Sequence, residues 1–356
     1  MDIYQADMQL SAARHLRWMP EHIQVSDSEI YIEGWALSLW NQPEQTRLLI
    51  NGQDIDKIEW PIESPDIATH FDTLPNTKAA RFRCRHTLEK GKSPYLNGFI
   101  RFNVTGPYGE HRLSYRTAWF FCDPDREFAV PSPAQRERVI GTDHLEFFKI
   151  GGATIVNRIQ LLLQERFDRT FSNFNSILDW GCGAGRLTRY LPFFTSSITA
   201  VDIDPDNIRG CKESIPGVDF LQTELHPPTP FGNASFDLVI GLSVLTHLRE
   251  PVQNAWLAEL QRIVCPGGLV LLSIQGMAQS ALYRTPIERC LAVRSEGILY
   301  VGNNSQLDQV IDAPDYYVDV IHSHDYVMTK WGNYFDVLEI VEAIAGNQDL
   351  VVMRRR

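Results

Sequence analysis

Two periods of apolar residues divide the chain. Up to about residue 122 the period is two: apolar and polar side chains alternate in Glu29-Ile30-Tyr31-Ile32-Glu33-Gly34-Trp35-Ala36. Further short runs follow at Thr46–Ile50, Ala80–Cys84, Gly98–Val104 and Leu113–Phe120. Alternation sends one set of side chains into a core and the other to solvent, the pattern of a half-buried strand. Asn51-Gly52 predicts a tight hairpin, because both residues accept the positive φ that such a turn requires. Short strands with turn signals and no helical period predict an all-β sandwich over residues 1–130, with a short leading segment.

The composition changes near Cys122-Asp123-Pro124, and Val130-Pro131-Ser132-Pro133 reads as a stiff linker into a second domain over 134–356. There the pattern is mixed. Ile155–Leu163 has helical character, whereas Ile177-Leu178 and Ser197-Ile198-Thr199-Ala200-Val201 are short β-branched or apolar runs. The first of these runs continues as Asp179-Trp180-Gly181-Cys182-Gly183-Ala184-Gly185-Arg186, with glycine at every second position. Such glycines let a chain turn sharply at a strand end and leave no Cβ between the main chain and a ligand lying over it. Leu187-Thr188-Arg189-Tyr190-Leu191 then looks like the opening of a helix, so the unit is strand, glycine loop, helix, the start of an open α/β nucleotide site. The dinucleotide fingerprint has glycine at its sixth position. Arg186 stands there, which counts against a dehydrogenase. About twenty residues on, the second strand ends in Asp202-Ile203-Asp204, where an acid can accept hydrogen bonds from both hydroxyls of a ribose.

From these motifs onward the chain resembles the class I S-adenosylmethionine-dependent methyltransferases. Phe236-Asp237-Leu238-Val239-Ile240 is similar to their fourth strand, and Leu260–Ser273, with Cys265-Pro266-Gly267-Gly268, is similar to the helix end, turn and fifth strand. Tyr334–Val341 and Gln348–Met353 look like their last two strands. The resemblance covers residues 136–356. It implies a seven-stranded Rossmann-like sheet ordered three-two-one-four-five-seven-six and S-adenosyl-L-methionine as cofactor. By position, Asp179, Gly181, Gly183 and Gly185 would cradle its methionine part. Asp202 and Ile203 would hold the ribose, Glu224 or Leu225 would sit beside the adenine, and Ser243 would border the site. Gln222–Pro228 departs from the family's acid-plus-small-residue pattern at the adenine position. The Gly34–Leu37 and Asn51-Gly52 elements resemble β-domains appended to bacterial glycan-modifying transferases.

Composition narrows the acceptor. A net charge of −11 repels a phosphate backbone, and the only dense basic run is Arg354-Arg355-Arg356, which reads as a solvated tail, so nucleic acid is not expected as a partner. Six scattered cysteines with no Cys-x-x-Cys pair argue against a structural zinc or a disulfide framework, and no metal is expected. There is no apolar run of membrane-spanning length, and Met1–Asp7 lacks the order of a signal peptide, so a cytoplasmic location is expected. A homo-oligomer is left open.

Candidate chemistry follows. A sulfonium methyl is already activated, so the protein's work is alignment, exclusion of water and, for a hydroxyl acceptor, removal of a proton. His247, just after the fourth strand, is the first candidate base, since imidazole titrates near ~6.5. His322 and His324 lie in a long segment, 275–331, that would shape the acceptor at the carboxyl edge of the sheet and that also holds Tyr283 and Arg284. Phe147, Phe148 and Gly152 are candidates for a cover over the cofactor, and Trp35, Trp40 and Trp60 for glycan contacts or for core. The expected reaction is O-methylation of a sugar or other small-molecule hydroxyl. The competing reading is a catalytically weak binding module of the same fold that recruits a glycan or protein partner.

Overall fold

A computed structural model describes residues 17–37, 47–70, 77–105, 118–282, 285–307, 310, 313 and 316–356. The chain forms two compact units, Met1–Glu127 with Glu146–Leu162, and Phe128–Leu145 with Leu163–Arg356.

The described residues of the first unit form eight strands: β1 Arg17–Val25, β2 Glu29–Leu37, β3 Arg47–Ile50, β4 Gln53–Asp54, β5 Lys57–Ile62, β6 Arg81–Thr87, β7 Phe99–Thr105 and β8 Trp119–Cys122. They form two antiparallel sheets, ordered β1-β2-β6-β5 and β4-β3-β7-β8. Alternation decides which side chains meet between them. Ile30, Ile32 and Ala36 of β2, Phe82 and Cys84 of β6, and Ile100 and Phe102 of β7 are buried in one core. Phe82 and Phe102 touch across it with ring centroids 5.9 Å apart. The Asn51-Gly52 hairpin forms as predicted, with φ of 50° and 84°. The sequence pattern did not disclose β1 and β5. Both are edge strands, and Pro20 and Pro61 coincide with register shifts that break the alternation. Trp35 and Trp60 are half-buried and pack on apolar clusters of the sandwich, while Trp40 and Leu113–Thr117 lie outside the described residues.

A short helix, α1, spans Pro65–His70, and α2, Pro133–Ile140, follows the linker. The second half of the linker is itself the start of α2: Ser132 caps the helix in a reciprocal box with Gln135. The long helix α3, Leu145–Phe167, contributes most of its length to the sandwich unit. Ile150 joins the sandwich core, the Phe120 amide donates to Thr154 Oγ1 at 3.0 Å, and Arg158 Nε donates to the Ala118 carbonyl at 2.8 Å. A fragment starting at Ala134 would keep α3 and lose these partners. It is expected to be less soluble than the full chain and to melt without cooperativity, and a sharp calorimetric transition in the fragment would contradict this.

The second unit is built on β9 Ile177–Trp180, β10 Ile198–Asp202, β11 Asp219–Gln222, β12 Phe236–Gly241, β13 Val264–Ile274, β16 Asp336–Ala345 and β17 Gln348–Arg354. Their order is β11-β10-β9-β12-β13-β17-β16, with β17 antiparallel to both its neighbours. This is the three-two-one-four-five-seven-six sheet of a Rossmann-like methyltransferase fold. Helices α4, Pro205–Ser214, and α5, Glu250–Ile263, cross between strands, and Trp256, Leu257, Leu260 and Ile263 of α5 are buried in the core that includes Val239 and Val270. Trp180 and Trp256 meet at 5.0 Å between ring centroids. Between β13 and β16 lie α6 Met277–Leu282, α7 Ile287–Glu296, an antiparallel ribbon of β14 Ile298–Asn303 and β15 Val318–His322, and α8 His324–Lys330. Strand order reverses between β9 and β12, so the crevice for a ligand opens at their carboxyl ends. No helix among the described residues is long and apolar enough to cross a membrane.

Candidate active site

The glycine loop leaves β9 with Gly181, Gly183 and Gly185 at φ of 74°, 54° and 73°, a left-handed conformation that side chains resist. Space adds a second reason. A Cβ on Gly181 would stand 2.3 Å from Val244 Cγ2, and one on Gly185 would stand 2.6 Å from Ile215 Cδ1. Gly183 is faced at 3.1 Å by Val139 of α2. What fills the missing Cβ positions is therefore the protein's own packing. The stretch after the loop, expected to open a helix, is a 3-10 helix, Thr188–Phe193, with Pro192, which lacks an N–H, inside it.

Two carboxylates flank the loop. Asp179 is buried in β9 and accepts from Thr188 Oγ1 at 2.6 Å. Asp202, half-buried at the end of β10, accepts from the Gly183 amide at 2.7 Å and from the Asp204 amide at 2.9 Å. Burial pushes each of these acids up to about 6. Arg186 lies close enough to lower Asp179, and its own burial brings the guanidinium down to about 10. Its Nε is buried without a hydrogen-bond partner. A half-buried cation and a buried acid beside the glycine loop match the carboxylate and ammonium of an amino acid. Asp204 caps α4 by accepting from the Asp206 and Asn207 amides, and Arg138 of α2 lies 3.3 Å from its second oxygen.

Beyond Asp202, Ile203 is half-buried and its carbonyl accepts from Gln222 Nε2 at 3.2 Å. Glu224 is exposed. Leu225 is half-buried, and its carbonyl accepts from Trp256 Nε1 at 3.3 Å and from the Tyr316 hydroxyl.

At the end of β12, Ser243 adopts φ of 59°. Its amide donates to Ser273 Oγ at 2.7 Å and its hydroxyl to Gln348 Oε1 at 3.1 Å, bonds that hold a non-glycine residue in the left-handed region. His247 closes the 3-10 turn Leu245–His247 that follows. It is largely buried, stacks on Tyr317 with centroids 4.3 Å apart and planes at 22°, and places Nδ1 3.1 Å from Asp319 Oδ1. Tyr317 is pushed upward first by burial and then by the charges of Asp202 and Asp319. The structure thus brings His247 to the edge that carries the loop and Asp202.

The other two histidines have different surroundings. His322 is fully buried, bonded to Gln253 at 3.0 Å, packed on Tyr326 and Trp331, and driven down to about 3 by burial, so it is a neutral core side chain. That burial is at odds with the acceptor-side part expected of it. His324 pairs with the buried Asp349 at 2.8 Å, which raises it, so its visible role is to neutralise that acid. Phe148 is buried and Phe147 half-buried, and both belong, with Gly152, to the sandwich unit. Tyr283 and Arg284 lie outside the described residues. No cluster of three or more metal-ligating side chains occurs among the described residues.

Sequence reasoning passed over Arg186, Tyr317 and Asp319. Arg186 was noticed only as a missing glycine, although a cation inside a glycine loop is itself a signal. For the other two the signal was parity: in Tyr317-Val318-Asp319-Val320-Ile321-His322 the residues Val318, Val320 and His322 share one face and are buried, which turns Tyr317 and Asp319 the other way.

Known proteins are similar to the second unit. Residues 178–272 match the family model "Methyltransferase domain". An uncharacterized methyltransferase of Synechocystis sp. is 26% identical over 151 residues, 42% of this chain and 69% of that protein. One of Schizosaccharomyces pombe is 29% identical over 133 residues, 34% of this chain and 47% of that protein. Among solved structures, PH0226 protein from Pyrococcus horikoshii OT3 is similar with a TM-score of 0.40 and 17% identity, covering 56% of this chain and 89% of that one. With its sheet order and the match over residues 178–272, the second unit has the Rossmann-like fold of the class I methyltransferases, a fold that binds S-adenosyl-L-methionine.

Proposed function

We propose that the chain methylates a hydroxyl of a sugar or other small molecule, with His247 as the base. The observation that carries this reading is the imidazole of His247 at the carboxyl edge of the sheet, stacked on Tyr317 and facing Asp319. When bound, the cofactor supplies a methyl group already activated on a sulfonium, whose departure leaves a neutral thioether. Asp179 and Arg186 take its ammonium and carboxylate, with Gly181, Gly183 and Gly185 giving the backbone room. Asp202 accepts from the ribose diol beside Ile203. A carboxylate has about four acceptor sites, so two backbone amides leave Asp202 free to accept two more donors. Leu225 and Glu224 border the adenine, and Ser243 borders the methyl-bearing end. His247 takes the hydroxyl proton as the oxygen attacks.

Three features support an uncharged hydroxyl over other acceptors. The net charge of −11 disfavours polyanions, the 275–331 segment brings tyrosines to the site, and the Gly34–Leu37 and Asn51-Gly52 likeness favours a sugar. A screen with methyl-tritiated cofactor against nucleotide sugars, glycans, small phenols and proteins is expected to label a hydroxyl compound. Label confined to protein or to an amine would overturn the O-methylation reading.

The two raised acids give a pH dependence. Ligand binding needs Asp179 and Asp202 ionised, and in the free protein both titrate near about 6. Affinity for S-adenosylhomocysteine should therefore tighten as pH rises from 5 to 7 and level off above. The stability of the unliganded fold has the opposite slope from these groups: an acid raised on folding binds more protons in the native state, so its contribution is present below the unfolded pKa and is lost as pH rises through about 6. Calorimetric affinities that stay level from pH 5 to 8 would remove both acids from the cofactor site.

A further inference from the structure

The geometry points to Asp319 as a positioning residue that fixes which nitrogen of His247 is basic. The two side chains come from different elements: His247 from the turn after β12, Asp319 from β15 of the 275–331 segment. Asp319 Oδ1 accepts from Asn304 Nδ2 at 3.0 Å and stands 3.1 Å from His247 Nδ1, close enough for an ion pair though outside good hydrogen-bond alignment. Bonds of this kind commonly tighten only when substrate arrives.

His247 Nδ1 is buried and has no other partner. A bare lone pair on that nitrogen would face a carboxylate oxygen across 3.1 Å and be repelled, whereas a proton there turns the same contact into attraction. The Asp319 carboxyl is held below the usual carboxylate range, first by His247 and then by Asn304, so the orienting charge is present at neutral pH. Tyr317 completes the restraint. It precedes Asp319 by two residues on an extended chain, so both side chains lie on one face, and its ring covers the imidazole and opposes a flip. The result is a histidine with the proton on Nδ1 and the lone pair on Nε2, the atom available to a hydroxyl.

This inference rests on the reading of His247 as the base for its use, but its test needs no acceptor. In the uniformly nitrogen-15-labelled full chain at pH 8, long-range proton–nitrogen spectra, assigned by loss of signals in His247→Gln, are expected to show His247 protonated on Nδ1 and bare on Nε2. Asp319→Asn and Asp319→Ala should each shift the ring toward the Nε2-protonated form, while calorimetry shows S-adenosylhomocysteine affinity unchanged. A wild-type ring protonated on Nε2, or a tautomer indifferent to both substitutions, overturns the assignment. Should Asp319→Ala not fold, the isosteric Asp319→Asn and the wild-type spectrum still decide. A correct tautomer together with full activity in His247→Gln would instead reject the base and keep the positioning contact.

Discussion

Replacing His247 by glutamine is expected to lower kcat by about two to four orders of magnitude, the usual cost of removing a general base, and to leave affinity for S-adenosylhomocysteine nearly unchanged. Glutamine keeps a polar head of similar reach and can still meet Asp319, so packing against Tyr317 survives and the loss is chemical. An uncharged hydroxyl is a weak nucleophile, and its proton must leave as the new C–O bond forms; the buried His322 and the ion-paired His324 are poorer acceptors for it. His322 is sealed in the core and driven to about 3, and His324 is committed to Asp349. The measurement is initial-rate kinetics on the acceptor found by the methyl-transfer screen, with calorimetry as the control. Near wild-type kcat in a folded variant would move the base elsewhere in the 275–331 segment.

How much of this was legible in the sequence depends on how local the signal is. The glycine loop, the hairpin at Asn51-Gly52 and the strand ends at Asp179 and Asp202 are written within a few residues, and they stand where the pattern put them. Sheet order came from resemblance, since no period in the chain says which strand lies beside which, and β10 and β12 on either side of β9 confirm it. Where local and tertiary demands compete, the reading slipped. The glycines looked like room for a ligand, yet Val244 and Ile215 take part of that room. His322 looked like acceptor chemistry because histidine is reactive in general, while its place on the buried face of β15 gives it a core role. His247 and Asp319 are distant in the chain, and only the fold puts them 3.1 Å apart.

If this loop and its two acids hold S-adenosylmethionine, calorimetry of S-adenosylhomocysteine with the full chain should separate the wild type from Asp202→Ala. Hydrogen bonds to a charged group are worth roughly 1.5–3 kcal/mol each, and about 1.4 kcal/mol is tenfold in affinity. Loss of the bonds to a ribose diol should therefore weaken binding by about tenfold or more. The variant also frees the Gly183 and Asp204 amides, so a melting curve accompanies the titration to show that it remains folded. Tight binding to the wild type with at least a tenfold loss in a folded Asp202→Ala is the predicted result; no binding to the wild type, or equal binding to both, would contradict the account.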